Sequence, residues 1–371
     1  IYTRTYTLSL HDALPISLIE LINALPEELY NITLVLLDSD NEYAYRLKKN
    51  VNIVQLTFNS SFAKSLVSMY AFPAKVLKKL SVNSFIAYYD FISNCVTNVF
   101  EKTYDIAIDF YGYGSFVTAF LATKIQAKKK ATWLHDEKPY WMKSVQKYLC
   151  EYDKIYGVSQ AVVDAFCREY PHYKDKAAVF YNVIDIEEIK RKSEQDEIIP
   201  FKESFNIVTV GRLTEQKGYD IAIKAASILK KRKINFAWYA IGGGRDEKKL
   251  KKLVEKYCLE NQFVFLGRKK NPYPYMKHCD LYVQPSRHEG YVITLVEARA
   301  LCLPILSSDI PSAREQIQDG INGYVAELSA EDLADKIEYL YNNPSQRKKT
   351  VEYLKEHPID FSTELLKLEI I

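Results

Sequence analysis

The sequence predicts an α/β protein made of two doubly wound parallel-sheet domains in tandem. Short apolar runs rich in β-branched residues alternate with longer amphipathic helical patterns, which is typical of parallel sheets covered by helices on both faces. The alternation stops at a polar segment containing Pro200 and then starts again. The chain has 371 residues, more than one hydrophobic core usually organises. We therefore expect two domains of one architecture.

The first domain is expected over residues 18–190. Helical patterns occur at 96–102 and 162–170, and the buried strands are predicted at 31–37, 51–56, 104–110, 130–134, 153–158 and 177–181. The stretch 191–204 is charged, contains Pro200 and is predicted as the linker.

The second domain is expected over residues 205–345. Strands are predicted at 206–211, 235–244, 263–267, 280–286, 303–309 and 323–328, and helices at Tyr219–Lys231, Asp246–Cys258, Ile293–Ala300 and Glu331–Tyr341. Residues 346–371 are predicted to form C-terminal helices that cross back to the first domain.

The first 17 residues, IYTRTYTLSLHDALPIS, do not fit this scheme. The chain starts with Ile, and none of its 12 glycines precedes Gly112. A doubly wound domain normally opens with a strand and a tight turn into its first helix, but here 18–29 has the pattern of the first helix and 31–37 that of the second strand. We expect residues 1–17 to be a non-native leader, similar to translated adapter sequence, and the first strand with its glycine loop to be missing. The alternative is a divergent first strand at TYTLSL.

Composition and charge exclude several classes of protein. Fifty Lys and Arg stand against 47 Asp and Glu, so the net charge is only +3. This balance gives no reason to expect nucleic-acid binding. We interpret the basic runs at 128–130 and 248–252 as solvated faces.

The cysteines and the hydropathy pattern indicate a cytoplasmic protein. The six cysteines are scattered, without a Cys-x-x-Cys pair, so neither a disulfide framework nor a structural zinc site is expected. No apolar run has the roughly 18–20 residues that span a membrane, and no signal peptide is visible. The sequence DSD at 38–40, which follows a predicted strand, is interpreted as a turn. No metal ion is expected.

Two glycine-containing loops follow strands of the second domain. Gly211, Arg212 and Lys217 belong to GRLTEQKG, after NIVTV, and lead into a helix. Helix N-termini attract anions, and Arg offers a forked donor to phosphate oxygens. Gly242 opens the triple glycine after WYAI, a turn at which backbone can approach a ligand. Both loops are also compatible with ordinary surface turns.

A third loop adds two carboxylates. In PSRHEGYVITLVEA, Glu289 lies in the loop after a strand and Glu297 lies two turns into the next helix. Carboxylates accept hydrogen bonds from vicinal hydroxyls, and open α/β sheets bind ligands beyond the carboxyl ends of their strands. Cations, glycines and carboxylates in these positions suit a phosphorylated, hydroxyl-rich compound. A nucleotide sugar fits that description.

These segments resemble the family-four retaining glycosyltransferases, which have the GT-B fold. VGRLTEQKG, IGGG, PSRHEGYVITLVEA and DGINGYVAE match the motifs of the family's second domain in order and spacing, over residues 206–328. WLHDE, YGVSQAV and YNVID resemble its first-domain and linker motifs. The resemblance implies two Rossmann-like domains facing one another across a donor-binding cleft. Thr294 departs from it, because the family often has an apolar residue there.

The resemblance also implies residue roles. Arg212 and Lys217 would grip the donor diphosphate and stabilise the leaving nucleoside diphosphate. Glu297 would hold the ribose hydroxyls. Glu289 would contact the donor sugar, helped by the backbone N–H groups around Gly290 and Tyr291.

In the first domain, His135 matches a family histidine that faces the donor sugar and the acceptor. The alternative is a half-buried loop histidine that bonds to backbone. The family is generally metal-independent, and no cofactor is expected besides the donor.

The function expected is hexosyl transfer from a nucleoside-diphosphate sugar to a glycan or lipid-linked acceptor, in cell-surface polysaccharide synthesis. Family acceptors are often lipid-linked, so we expect peripheral association with the inner membrane face. AKVLKKL, residues 74–80, is a basic cluster that suits such contact. Two other readings stay open: a GT-B nucleotide-sugar epimerase, and a non-catalytic relative that binds nucleotide sugar.

Overall fold

The computed structural model describes residues 4–10, 16–36, 46–48, 50–61, 82–98, 100, 102–112, 116–195 and 201–369. It divides into two compact units, residues 1–184 with 361–371, and residues 185–360. The DSD and AKVLKKL segments discussed above lie outside the described residues.

The first unit contains a seven-stranded sheet in the order β3-β2-β1-β4-β5-β6-β7, with all of its described pairings parallel. Its strands are β1 Arg4–Leu10, β2 Tyr30–Leu36, β3 Asn52–Gln55, β4 Tyr104–Asp109, β5 Ala127–Leu134, β6 Lys154–Gly157 and β7 Ala177–Val179. Its α-helices before the chain leaves the unit are α1 Ile16–Ala24, α2 Val82–Cys95, α3 Phe116–Lys124 and α4 Gln160–Glu169, with 3-10 helices at Pro139–Ser144, Gln146–Glu151 and Pro171–Lys176. The helix predicted at 96–102 is wrong: α2 ends at Cys95, and Val96 bridges to Phe58.

The strand β1 overturns the expectation that the first strand of this domain is missing. Residues 4–10 pair in parallel with β2 on one side and with β4 on the other, which is the central position of a doubly wound sheet. The alternating RTYTLSL pattern, with Tyr, Thr and Leu, suits a strand. Helix α1 then begins at Ile16, two residues before the predicted start. Residues 11–15, where a turn was sought, lie outside the described residues.

The second unit contains a six-stranded parallel sheet in the order β10-β9-β8-β11-β12-β13. Ile207 and Val208 are neighbours on one strand and are both fully buried, in apolar clusters that belong to opposite faces of the sheet. This explains why the strands are continuously apolar. The strands are β8 Phe205–Val210, β9 Phe236–Ile241, β10 Phe263–Gly267, β11 Leu281–Gln284, β12 Ile305–Ser308 and β13 Tyr324–Ala326.

The helices of the second unit lie before, between and after these strands. They are α5 Ile186–Ser193, α6 Tyr219–Lys231, α7 Glu247–Lys256, α8 Tyr273–Lys277, α9 Ile293–Ala300, α10 Pro311–Arg314, α11 Ala330–Asn342 and α12 Pro344–Glu356, with a 3-10 turn at Glu215–Lys217. The strand order, renumbered within the unit, is 3-2-1-4-5-6. In this order the connections reverse direction between β8 and β11, which is where doubly wound sheets bind ligands.

The division between the units falls ahead of the linker predicted at 191–204. The first unit ends at Ile184, and α5 belongs to the second unit, where it packs against α8 and α9. The Asp185 carboxylate caps α5 by accepting a hydrogen bond from the Glu188 N–H at 2.9 Å. Only residues 191–193 of the predicted linker belong to this helix, and Arg191 pairs there with Glu188.

The C-terminal residues divide between the units. Helix α12 stays with the second unit, and residues 361–371 belong to the first. In this return segment, α13 Ser362–Leu366, the Glu364 carboxylate accepts the Tyr181 N–H at 2.9 Å. Lys367 donates to the Val179 carbonyl at 3.0 Å, and Tyr156 donates to the Lys367 carbonyl at 3.3 Å. These bonds attach the segment to the β6–β7 edge of the sheet.

Candidate functional site

The candidate site lies in the second unit, at the carboxyl ends of β8 and β11. The GRLTEQKG loop follows β8, and the loop 285–292 follows β11, so the reversal of strand order brings the two loops side by side. The Arg287 N–H donates to the Gln216 carbonyl at 2.7 Å, and the Gln216 amide donates to the His288 carbonyl at 3.0 Å. Tertiary structure thus joins two segments that are about seventy residues apart.

Two glycines permit the close approach of backbone at this edge. Gly218 has φ +66°, and a Cβ placed on it would lie 1.8 Å from the Pro285 carbonyl oxygen. Gly242 has φ +147°, and a Cβ on it would lie 1.9 Å from the Gly211 carbonyl oxygen. Any side chain at either position would clash with backbone and would also need a strained φ. A Cβ on Gly211 would only touch Lys217, with its nearest atom at 3.3 Å.

Lys217 and Glu289 form an ion pair. The Lys217 Nζ lies 2.6 Å from Glu289 Oε1, and the two side chains are only 14% and 9% exposed. The sequence placed both residues at the ligand but did not predict that they touch. Within the described residues, Glu289 Oε2 has no hydrogen-bond partner. One carboxylate oxygen is therefore anchored, and the other is available to a hydroxyl group.

Behind Glu289 lies a chain of buried hydrogen bonds that the sequence analysis missed. Ser286 Oγ donates to Glu289 Oε1 at 2.7 Å, and Gln284 Nε2 donates to Ser286 Oγ at 2.7 Å. Gln284 Oε1 accepts from the Tyr282 hydroxyl at 2.7 Å and from the Thr294 hydroxyl at 2.8 Å. We call these four residues behind the carboxylate the donor chain. Its sequence signal was a Gln at the end of an otherwise apolar strand.

The direction of every bond in the donor chain follows from Glu289. An ionised carboxylate only accepts hydrogen bonds, so Ser286 must donate to it. Ser286 Oγ must then accept from Gln284, which fixes the orientation of the amide, with its oxygen toward Tyr282 and Thr294. All the donors point toward the carboxylate. The chain therefore holds Glu289 in one orientation as an acceptor.

The backbone after Glu289 is held from the neighbouring segment. The Ser312 hydroxyl donates to the Glu289 carbonyl at 2.9 Å. Gly290 is buried and Tyr291 is half-buried, just ahead of α9, whose first N–H groups have no partner within the helix. The backbone next to the N–H groups of Gly290 and Tyr291, which are predicted to contact the donor, is thus held in place.

Glu297 lies in the middle of α9 and is half-buried. Its Oε1 accepts the Tyr273 hydroxyl at 2.9 Å. Tyr273 comes from α8, and no sequence argument selected it. The tyrosine orients the Glu297 carboxylate in the way that the donor chain orients Glu289.

Arg212 differs from Lys217 in its surroundings. Its side chain is exposed, and it makes no ion pair with a described carboxylate. The loop that carries it is fixed, because the Gly211 N–H donates to the Ile241 carbonyl at 2.9 Å and the Leu213 N–H donates to the Gly243 carbonyl at 3.1 Å. Arg212 is thus a solvated cation on a rigid support.

Arg287 and Asp220 fasten the two loops from the side. Both guanidinium nitrogens bond the carboxylate, at 2.8 and 2.7 Å, and one also donates to the Glu215 carbonyl at 2.6 Å. Burial alone would raise the pKa of Asp220, but the hydrogen bonds and charge of Arg287 outweigh it and hold that pKa below its usual value. Forked pairing of this kind is geometrically specific. The pair of Arg287 and Asp220 holds the two loops together and so keeps Lys217 beside Glu289.

His135 belongs to the first unit and follows β5. Its Nε2 lies 2.6 Å from the Phe110 carbonyl oxygen, and a carbonyl only accepts, so Nε2 carries the proton. Burial lowers the pKa of His135, although the bond to Phe110 partly opposes the shift. The ring is therefore neutral at pH 7. The alternative interpretation of a histidine bonded to backbone matches this contact.

The turn that supplies the Phe110 carbonyl is held by a buried acid. Asp109 is completely buried and accepts from the Thr118 hydroxyl at 2.6 Å, the Thr132 hydroxyl at 3.0 Å and the Gly112 N–H at 3.1 Å. Burial raises the pKa of Asp109, against the effect of these three donors. A Cβ on Gly112 would overlap the Trp133 carbonyl.

Over the described part of the chain, no three His, Cys, Asp or Glu side chains gather in a way that suits a metal ion. In the same residues, no helix is long and apolar enough to cross a membrane.

The candidate site lies within a segment that matches a known protein family. Residues 190–357 match the family model described as Glycosyl transferases group 1. The second unit is therefore similar to the Glycosyl transferases group 1 family. The match covers the loops after β8, β9 and β11 and the helix that bears Glu297.

Curated relatives of this chain include an uncharacterised glycosyltransferase of Methanocaldococcus jannaschii, 33% identical over 45% of this chain and 40% of that protein. The N-acetylgalactosamine-N,N'-diacetylbacillosaminyl-diphospho-undecaprenol 4-alpha-N-acetylgalactosaminyltransferase of Campylobacter jejuni is 30% identical over 47% of this chain and 49% of that protein. The chain spans about half the length of these relatives.

Solved structures extend the likeness to both units. A glycosyltransferase from Rickettsia africae has a TM-score of 0.73 at 17% identity, over 99% of this chain and 97% of that chain. Anabaena HepE in complex with UDP has a TM-score of 0.72 at 17% identity, over 99% of each chain. The two Rossmann-like parallel-sheet units therefore have the GT-B fold, as predicted. Together with the family match and the relatives, this supports a GT-B glycosyltransferase.

Proposed function

We propose that this protein is a retaining glycosyltransferase of family four. It transfers a sugar from a nucleoside-diphosphate sugar to a glycan or lipid-linked acceptor in cell-surface polysaccharide synthesis. The observation that carries the proposal is the pair of Lys217 and Glu289, where a cation and a carboxylate with one open oxygen meet at the ligand-binding edge of the second sheet. The Campylobacter relative acts on a diphospho-undecaprenol acceptor, which supports this acceptor class.

The donor is proposed to bind through both of its ends. Arg212 and Lys217 contact the diphosphate, and Glu297 accepts hydrogen bonds from the ribose hydroxyls. Glu289 Oε2 accepts from a hydroxyl of the transferred sugar. Because HepE structures hold UDP, UDP with glucose and UDP-glucose, uracil is the first donor base to test.

In the proposed reaction, the bond from the anomeric carbon to the diphosphate oxygen breaks while the acceptor hydroxyl oxygen bonds to that carbon on the same face. The acceptor proton passes to the departing diphosphate. Negative charge grows on the diphosphate as it leaves, so Arg212 and Lys217 stabilise the transition state more than the ground state. In this scheme side-chain cations meet that charge, and no metal ion is required. His135 contributes a neutral ring that contacts the donor sugar or the acceptor.

The proposed place of action is the cytoplasm, at the inner face of the cell membrane, because a lipid-linked acceptor lies in that membrane. The protein associates with this face without spanning it.

A donor panel tests the proposal. UDP-, GDP- and ADP-sugars are first screened by thermal shift, and the stabilising donors are then incubated with and without a lipid-diphosphate-linked acceptor. Release of nucleoside diphosphate with an α-linked product from an α-linked donor supports it. An inverted linkage contradicts retention. A changed configuration of the free donor sugar would identify an epimerase. Donor binding without turnover of any acceptor would identify a non-catalytic relative.

A further inference from the structure

The charge of this protein is unevenly distributed. Residues 224–270 contain 14 Lys and Arg but only four Asp and Glu, a net charge of +10. The rest of the chain has 36 Lys and Arg against 43 Asp and Glu, a net charge of −7. The small overall charge of +3 therefore conceals a strongly cationic segment in the second unit.

All 14 of these cations are exposed, and they lie on α6, on α7 and in the loops around β9 and β10. The segment runs from the middle of α6 through β9 and α7 to the end of β10, and β10 is the edge strand of the sheet. Helix α7 packs against α6, and the Lys230 ammonium donates to the Cys258 carbonyl, so the C-terminal ends of both helices are neighbours. We call the surface formed by these cations the basic edge: Lys224, Lys230, Lys231, Arg232, Lys233, Arg245, Lys248, Lys249, Lys251, Lys252, Lys256, Arg268, Lys269 and Lys270.

Most of the positive charge of the basic edge is not neutralised by carboxylates of the described residues. Arg232 pairs with Asp335 and Glu338, and Lys251 pairs with Glu247. In contrast, Lys248, Lys249 and Lys252 have no ion pair with any described carboxylate. Helix α7 buries Leu250 and Val254 beneath them. Their side of the helix is about 15 Å long and also carries the exposed Glu255.

We propose that the basic edge is the surface through which this protein docks on an anionic lipid membrane. Eleven of its 14 cations are lysines, which act as mobile point charges and suit a diffuse anionic surface, whereas forked recognition of single phosphates favours arginine. Phe236, Trp238 and Phe263 of the same segment are buried, so they cannot stack on nucleic-acid bases. Clustered lysines bind the anionic cytoplasmic leaflet by summed electrostatic attraction.

The docking proposal goes beyond the proposed function. It rests on that function only for the choice of a membrane as the partner, because a lipid-linked acceptor lies in a membrane. It also revises the interpretation of residues 248–252 as a merely solvated face. The expected membrane contact of the first domain lies outside the described residues, so the two surfaces are tested separately.

The test is sedimentation of the full chain with vesicles of phosphatidylcholine containing 30% phosphatidylglycerol, on the order of the anionic content of a cytoplasmic leaflet, at low salt. The variant changes Lys248, Lys249 and Lys252 to Glu. The matched control changes Lys348, Lys349 and Lys355 of α12, which are also exposed, to Glu. Both variants change the net charge by the same amount, and the control also removes the exposed ion pair of Lys348 with Glu352. A parallel set with Gln in place of Glu, with folding checked by circular dichroism, excludes effects of charge reversal on the fold.

Each lysine near an anionic surface contributes about fivefold in partitioning. The α7 variant should therefore bind at least about a hundredfold more weakly, and the α12 control should stay within about threefold. Binding should disappear on neutral vesicles and at high salt. Equal losses in both variants, or no sedimentation of the parent chain, would overturn the proposal. Tighter binding to a single-stranded oligonucleotide than to vesicles would overturn the assignment to lipid. Because the readout needs no donor, its failure leaves the proposed reaction standing, and inactivity leaves the docking result standing.

Discussion

Asp109 and Glu289 are two buried acids in corresponding places. Each follows or ends the fourth strand of its unit's sheet, beside the first strand, and each accepts hydrogen bonds from hydroxyl groups. Asp109 is completely enclosed by three neutral donors, and burial raises its pKa. Glu289 is bonded to a cation and keeps one oxygen open. The comparison teaches that the partners of an acid, rather than its burial, separate a structural anchor from a binding group.

The largest effect is expected at the cation of the open acid. Lys217→Ala should lower turnover by about 10²–10³-fold, the usual cost of removing one group that stabilises transition-state charge, with a smaller change in the Michaelis constant. Arg212→Ala should act in the same direction. Steady-state kinetics with the active donor measure both, and Lys349→Ala, at an exposed position on α12, should behave as the parent. A change confined to the Michaelis constant would contradict this role.

At the enclosed acid, stability should change instead of turnover. Asp109→Ala leaves the Thr118 and Thr132 hydroxyls and the Gly112 N–H unpaired, and should lower the free energy of unfolding by about 2–4 kcal/mol. Urea unfolding followed by tryptophan fluorescence measures it, since Trp133 packs against Phe110 beside this turn. Asp109→Asn keeps one acceptor and should cost less. Parent-like stability in the alanine variant would remove the distinction between the two acids.

Glu297 tests whether a second carboxylate binds the donor. Glu297→Ala should weaken donor affinity by about 1–3 kcal/mol, tenfold or more, through lost hydrogen bonds. Calorimetric titration with the donor or with UDP measures this. Tyr273→Phe removes only the hydroxyl that orients the carboxylate and should have a smaller effect. Unchanged affinity in the alanine variant is incompatible with the proposed ribose contact.

The donor chain behind Glu289 should matter less than the groups that meet the ligand. Thr294→Val keeps the side-chain shape but removes one hydrogen bond to Gln284, and should reduce turnover by about threefold to tenfold, corresponding to a typical net hydrogen bond. Thr294→Ser restores the hydroxyl and should recover most of the loss. If valine and serine behave alike, the chain has no positioning role.

The smallest effect is expected in the contribution of His135 to the pH dependence of the free energy of unfolding. Because burial lowers its pKa below the usual 6.5, the folded protein keeps the ring neutral where the unfolded chain already binds a proton. The free energy of unfolding should therefore fall as the pH drops below about 6.5, down to the folded pKa. His135→Gln should make the profile flatter between pH 7 and 5. An unchanged slope in this variant would assign the pH dependence to other groups.

The first strand shows why parts of the fold could not be predicted from the sequence. The missing glycine near the N-terminus argued against a first strand, although RTYTLSL carries the residues that a strand favours. The partners that settle its place are β2 and β4, and β4 begins about ninety residues further along the chain. The helix α5 was missed for a similar reason: residues 186–190 were assigned to the first domain and 191–193 to the linker, and its contacts with α8 and α9 are non-local.

The sequence by itself determined the two α/β domains and the segments of the candidate site. Strand and helix periodicity is local, and glycines and charges after strands mark the ligand edge of a sheet wherever the strands pair. Only the tertiary structure decided that Lys217 bonds Glu289, that a chain from Tyr282 to Ser286 orients that acid, and that Tyr273 orients Glu297. It also decided that Lys248, Lys249 and Lys252 of α7 are exposed and have no ion pair with a described carboxylate. These features depend on distances between residues far apart in the chain, which strand order and helix packing set and no local pattern records.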